Sequence, residues 1–218
     1  MGKTFPCELM EAPTELAEFD FCSEQVYRDL LACRKGDMSE AEFQKEYLTR
    51  AAILCLDMTG LTKAASELGK LQSLFRILDV QKVRGPVFRR FKSRRITAFA
   101  DNMVATFDDA ESALDAALHV HTCIRVFNDS TRSGEALPQC CIGIGYGDVY
   151  AIGVDEAMGD EMNRASKLGE DIARSAETLV TELAYDALKE RSDVVFRRRA
   201  HDDYPFSFYE VLQKEMGL

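Results

Sequence analysis

Apolar residues recur along this chain with two periods, and the alternation between them lays out the elements. From Ser23 the spacing is helical, with Val26, Leu30 and Leu31 near one face and Ser23 placed to cap the first turn. Gly36-Asp37 interrupts this pattern, and Ser39 restarts it with Glu42 at capping-box spacing. Residues 23–50 therefore predict a helical hairpin. It leads into AAILCLDMTGLT (51–62), an apolar run that ends in Asp57 and turns at Gly60, as a buried strand does. KAASELGKLQSLFRILDVQ (63–81) returns to helical spacing. Leu68, Leu71, Leu74, Phe75 and Leu78 form its predicted buried face, and Gly85-Pro86 its predicted stop.

VFRRFKSRRITAFADNMVATFDD (87–109) predicts a β-hairpin that turns at Asp101-Asn102. Residues 109–129 are strongly amphipathic and predict a helix starting near Asp108 or Asp109. QCCIGIGYGDVYAIGV (139–154) predicts a pair of strands around Gly147-Asp148. In 158–176 a helix is expected, with Met162, Ala165, Leu168 and Ile172 as its buried stripe. TLVTEL predicts a short strand, AYDALKER a short helix, and VVFRRRA with FSFYEVL a closing antiparallel pair. Residues 1–22, with two prolines and no clear period, are expected to form a loosely packed arm. Strands and helices interleave while the hairpins force antiparallel neighbours. The expected fold class is α+β, a ferredoxin-like sandwich with a mixed, mainly antiparallel sheet. The domain reading is an arm and helical hairpin over 1–49 and the sandwich over 50–218.

Composition narrows the function. Of 218 residues, 46% are hydrophobic and 29% charged, the balance of a globular soluble chain. The net charge of −10 disfavours nucleic acid as the main partner. RRFKSRR (89–95) and RRR (197–199) are local exceptions. A solvated loop or strand edge is the better account of both, with a phosphorylated small molecule the alternative. Seven cysteines, with no CxxC pair, fit buried thiols in a reducing compartment, and three histidines without finger spacing exclude a zinc finger. No apolar run reaches the roughly 20 residues that span a bilayer, and the N-terminal stretch carries acids where a secretion signal needs a basic start. A cytoplasmic location with no membrane span is expected.

Two acids stand out by position. Asp57 ends the first strand and Asp101 lies at the tip of the first hairpin. If those strands are neighbours, the carboxylates meet at one sheet edge, where like charges repel unless a cation such as Mg²⁺ lies between them. Taken alone, each acid is more often a plain turn residue than a metal ligand.

Four segments in order carry a resemblance. AILCLDMTGLT resembles the first metal motif of the class III nucleotidyl cyclases, and RITAFADNMVATF the second, with Asp101 in the acidic place and Ala100 where glycine is usual. CCIGIGYGDVYAIGV is similar to the strand pair of that family. MGDEMNRASKLGEDIA resembles its catalytic helix, with Gly159, Asn163 and Lys167 in register. The resemblance runs from about residue 50 to 213.

It implies conversion of a nucleoside triphosphate, ATP before GTP, to a 3′,5′-cyclic nucleotide and pyrophosphate. It implies two Mg²⁺ or Mn²⁺ ions on Asp57, Asp101 and the Met58 carbonyl, one activating the ribose 3′-hydroxyl and one stabilising pyrophosphate. Gly60, Thr62, Thr97 and Glu156 are then substrate-binding. Asn163 (orienting the ribose) and Lys167 (meeting charge on the α-phosphate) are catalytic, and come from the second chain of a head-to-tail homodimer. Lys167 stands where the family usually has Arg, losing the bidentate fork. Thr97 and Glu156 occupy the base-reading positions and match neither the adenine nor the guanine pattern. Intact acids beside altered specificity residues suit an active cyclase of unusual selectivity, or a nucleotide-binding module with slow or no turnover.

Overall fold

The structure is a computed structural model describing residues 9–19, 21–59, 69–130, 137–153, 157–201 and 204–214. The chain divides into two units, Met1–Thr49 with Tyr150–Met158, and Arg50–Val149 with Gly159–Leu218.

In the first unit the short helix α1 (Pro13–Leu16) and a 3₁₀ turn (Ala17–Phe19) fall in the expected arm. Helix α2 (Glu24–Lys35) starts where Ser23 accepts a hydrogen bond from the Val26 N–H, and stops at Gly36, whose φ of 85° only glycine adopts cheaply. Helix α3 (Glu40–Tyr47) carries the complete capping box: Glu42 N–H donates to Ser39 Oγ while Ser39 N–H donates to the Glu42 carboxylate. Cys22, Val26, Phe43 and Ile152 form the small core of this unit, with Tyr47 and Tyr150 packed against it. Tyr150 and Ala151 pair antiparallel with Met158 and Ala157.

The second unit contains the sheet. Its elements in chain order are β1 (Leu48–Met58), α4 (Lys70–Arg90), β2 (Arg95–Phe99), β3 (Asn102–Phe107), α5 (Ala110–Ser130) and β4 (Cys140–Ala151). After β5 (Ala157–Met158), which belongs to the first unit, come α6 (Asp160–Ser166), continued by a π-helical turn over Lys167–Ile172, then β6 (Thr178–Thr181), α7 (Glu182–Leu188), β7 (Val194–His201) and β8 (Tyr204–Gln213). The strand order is β2-β3-β1-β4-β6-β8-β7. β3 is antiparallel to both β1 and β2, β8 to both β6 and β7, and β4 runs parallel to β6. The sheet is thus mixed and mostly antiparallel, as expected. Ala51 to Leu56 on β1 are all buried, and the main core gathers Leu54, Phe88, Phe107, Leu114, Ile142 and Val180.

Three local expectations are corrected. Residues 140–151 form one long strand rather than two joined at Gly147-Asp148. The glycines there serve close approach instead of turning. A Cβ on Gly143 would stand 2.1 Å from the Ala165 carbonyl oxygen, and one on Gly145 would stand 2.5 Å from that of Glu161, so α6 lies directly on β4. Second, Gly85-Pro86 does not end α4, which runs on to Arg90. Val87 and Phe88 continue the buried stripe of Val80 past Pro86. Burying Val87 and Phe88, at about 1.5–3 kcal/mol each, offsets the roughly 3 kcal/mol that an interior proline costs. Third, the buried face of α4 is not the expected one. Leu71, Leu74, Phe75 and Leu78 are 61, 60, 46 and 47% exposed, while Ser73, Val80, Arg84, Val87 and Phe88 face inward.

The two basic clusters differ: Arg89 and Arg90 end α4 as exposed residues, whereas Arg197, Arg198 and Arg199 lie on the edge strand β7 and pair across to β8. Arg197 and Arg199 both bind Glu210, Arg199 also reaches Glu177, Arg198 donates to Ser207, and Arg94 pairs with Asp108.

His121 on α5 sets one pH dependence. Its Nε2 lies 2.9 Å from Thr178 Oγ1 while Nδ1 is buried without a partner among the described residues. Burial pushes the imidazole down to about 4 from 6.5. The unfolded chain then takes up a proton near 6.5 that the folded chain refuses. Stability present above 6.5 falls by about 3 kcal/mol as pH drops toward 4. Urea midpoints across that window should slope in wild type and flatten in His121→Gln.

Candidate functional site

The antiparallel register pairs Leu56 with Met103 on β1 and β3, and Phe99 with Asn102 on β2 and β3. Asp57, one residue beyond Leu56, therefore sits beside the β2–β3 turn. That turn consists of Ala100 and Asp101, one residue earlier than the sequence pattern suggested. Thr59 anchors the chain after β1, both its N–H and its hydroxyl donating to the Gln139 carbonyl. Ala100 has φ of 51°, in the left-handed region that favours glycine. Ala100→Gly should stabilise the protein by about 1 kcal/mol, read as a rise in thermal midpoint.

Asp57 is half-buried and accepts a 2.7 Å hydrogen bond from the Met58 N–H. Burial lifts its carboxyl above the usual range. The Met58 N–H pulls it down, and the charge of Asp101 adds to the rise. A third group, unforeseen in the sequence, completes the cluster. Arg84, projecting inward from α4, is fully buried and donates from Nη1 to the Asp101 backbone carbonyl at 3.0 Å. Its charge acts on both Asp57 and Asp101. The only signal in the sequence is its phase, since Arg84 shares the helical stripe of Val80, Val87 and Phe88.

Asn163 and Lys167 are exposed, four residues apart across the junction of α6 with the π-helical turn. The Asn163 N–H donates to the Gly159 carbonyl. Lys167 Nζ binds Asp171 at 2.8 Å, and the Tyr204 hydroxyl donates to the same carboxylate at 3.1 Å. The Asp171 bond raises the ammonium above its ordinary value, with smaller contributions from Tyr204 and Glu170. The structure thus brings together Asp57, Asp101 and Arg84, and ties Lys167 to Asp171.

Glu161 anchors this helix, and sequence reading missed it because an acid is unexpected on a buried face. Only 3% exposed, its carboxylate accepts from the Tyr146 N–H, the Thr181 hydroxyl and Arg164 Nη1. Met162, in the expected stripe, is only partly buried. Thr181 also caps α7 through the Ala184 N–H. Thr181→Val should lower stability by about 2–3 kcal/mol in urea unfolding, since it leaves a buried carboxylate short of a donor and removes a cap.

Thr97 lies on β2 opposite Val104 and is partly exposed. Met58 is buried at the end of β1. Gly60, Thr62 and Glu156 lie outside the described residues.

The residues present fit a divalent ion. A carboxylate raised by burial and by a neighbouring acid is relieved by a hard cation placed between the two. No group of three or more His, Cys, Asp or Glu side chains is gathered for a metal among the described residues. Asp57 and Asp101 would offer such an ion carboxylate oxygens, the hard donors it takes, rather than a closed protein cage.

No family profile and no curated protein matches the sequence. Solved structures do match in fold. The adenylyl cyclase CyaB from P. aeruginosa superposes with a TM-score of 0.65 at 19% identity, over 78% of this chain and 97% of that one. The guanylate cyclase domain of RhGC from Catenaria anguillulae, solved in complex with GTP, gives 0.65 at 17%, over 76% and 97%. An adenylate/guanylate cyclase/hydrolase from Silicibacter pomeroyi gives 0.62 at 21%, over 76% and 96%. The chain has the fold of nucleotidyl cyclase catalytic domains.

Proposed function

We propose that this chain is a divergent class III nucleotidyl cyclase, which converts a nucleoside triphosphate, ATP in preference to GTP, to the 3′,5′-cyclic nucleotide and pyrophosphate at a site completed by a second copy of the chain. One observation carries the proposal. Two acids from separate motifs, Asp57 and Asp101, lie at one end of the sheet, near enough for the charge of Asp101 to act on Asp57, within a fold shared by adenylyl and guanylyl cyclase domains. Mg²⁺ or Mn²⁺ held by Asp57, Asp101 and the Met58 carbonyl would supply the positive charge that activates the ribose 3′-hydroxyl and neutralises pyrophosphate.

The chain's own residues bind and orient. Gly60 and Thr62 receive the triphosphate after β1, and Thr97 and Glu156 meet the base. Asn163 holds the ribose of a nucleotide bound by the partner copy, and Lys167 faces the negative charge that grows on the α-phosphate. The exposed stripe Leu71, Leu74, Phe75 and Leu78, together with Phe99 at 82% exposure, supports association of copies. The free cysteines among the described residues support a cytoplasmic location.

A second reading, a nucleotide-binding regulatory module with little turnover, is favoured by the engagement of Lys167 with Asp171. Purified protein given ATP or GTP, in Mg²⁺ or in Mn²⁺, separates the two. Cyclic nucleotide with equimolar pyrophosphate supports the cyclase. Nucleotide-dependent heat without product in any of the four mixtures supports the module, and neither heat nor product rejects both.

A further inference from the structure

We infer that Arg84 is a resident counter-cation of the two-acid site and sets how tightly this chain holds divalent ions. The inference rests on the assignment of Asp57 and Asp101 as the metal acids. It goes beyond that assignment by giving the site a third, permanent charge.

An arginine on the core face of a helix requires an explanation, because burying an unpaired cation is costly. Arg84 is 0% exposed, yet among the described residues its one hydrogen bond goes to a backbone carbonyl, and its Nε and Nη2 find no partner there. It forms no direct ion pair with either carboxylate among the described residues. Its positive charge therefore stays unneutralised by contact and acts across the cluster, on Asp57, Asp101 and the buried Cys140. The carbonyl it holds belongs to Asp101 itself, so the same guanidinium fixes the turn that presents the second acid.

Two consequences follow. The pair of acids is tolerated without metal because one of its two negative charges is already balanced. An arriving divalent ion, in turn, meets a net charge of about −1 rather than about −2 and is repelled by the guanidinium. At an effective dielectric between about 20 and 80, one unit charge acting on a divalent ion changes its affinity about tenfold or more. Metal alone should bind weakly here, and removing the Arg84 charge should strengthen binding.

The test is a Mn²⁺ titration of the full chain, with free Mn²⁺ read by electron paramagnetic resonance and folding checked by thermal midpoint. Arg84→Met should bind Mn²⁺ about tenfold or more tightly than wild type and gain a larger Mn²⁺-induced rise in midpoint. Arg84→Lys, which keeps the charge, should bind like wild type, and Asp57→Asn should bind more weakly. If Arg84→Met does not fold, Arg84→Gln replaces it in the same titration. Unchanged affinity on removing the charge, with Asp57→Asn weakened, overturns the role of Arg84 and leaves the two-acid site standing. Tighter binding in Arg84→Lys as well overturns the charge argument. Equal binding in Asp57→Asn and wild type removes the metal site, and this inference with it.

Discussion

Asp57→Asn should lower cyclic-nucleotide formation by at least about 10²–10³-fold while leaving the folded protein as stable as wild type, or more so, at neutral pH. The two effects share one cause. Burial and the charge of Asp101 hold the Asp57 carboxyl above its unfolded value of 3.8. The folded chain therefore keeps this proton to a higher pH than the unfolded chain does. The associated stability is fully present below 3.8 and is lost as pH rises through the folded pKa. At pH 7 the ionised acid costs stability that the neutral amide does not, and the amide oxygen still accepts from the Met58 N–H. That cost supports the proposed role of Asp57 as a ligand to a cation. Thermal midpoints of the two proteins should converge as pH falls toward 4, while product formation separates them at pH 7. Wild-type turnover by the variant would remove Asp57 from the chemistry.

Gly143→Ala should be the most damaging single-methyl change, costing about 3 kcal/mol or more. Its Cβ would lie 2.1 Å from the Ala165 carbonyl oxygen and 2.5 Å from the Gly169 amide nitrogen. Both are backbone atoms, which no rotamer change can move aside. Gly169→Ala meets the same obstacle from the other side, 2.6 Å from the Cys55 carbonyl oxygen. Relief requires α6 and its π-helical turn to lift from β1 and β4, and these segments carry Asn163 and Lys167. Urea unfolding should show the loss of stability. Activity should fall further than the folded fraction accounts for, because the helix that survives is displaced by a few tenths of an ångström or more. Folding indistinguishable from wild type would mean that the helix does not pack on the sheet at these glycines.

The contrast between these two positions shows what was legible in the sequence. Asp57 announced itself as an acid closing an apolar run. The glycines of 143–147 were equally visible, but a glycine that admits a helix and one that turns a chain look alike until the opposing backbone is known. Helix α4 makes the same point. It carries apolar residues on two sides, so periodicity identified a helix and gave the wrong face. The face that is buried contains Arg84, which no hydropathy pattern would assign to a core. Lys167 and Asp171 pair at i, i+4 spacing, which local geometry alone permits, whereas Tyr204, which shares the carboxylate, comes from a strand far along the chain.

The chain by itself determined whatever depends on a few neighbouring residues: the caps at Ser23 and Ser39, the buried strand ending at Asp57, the hairpin around Asp101, and the closing pair β7–β8. These follow from local hydrogen bonding and from the spacing of apolar side chains, which act over a few residues wherever the segment lies. The tertiary structure alone decided that β1 lies beside β3, so that Asp57 sits beside the turn that holds Asp101. It also turned Arg84 inward beneath them and set Gly143 and Gly169 in backbone contact. Those outcomes depend on which surfaces meet, and long-range packing selects among several surfaces that the local pattern leaves equivalent.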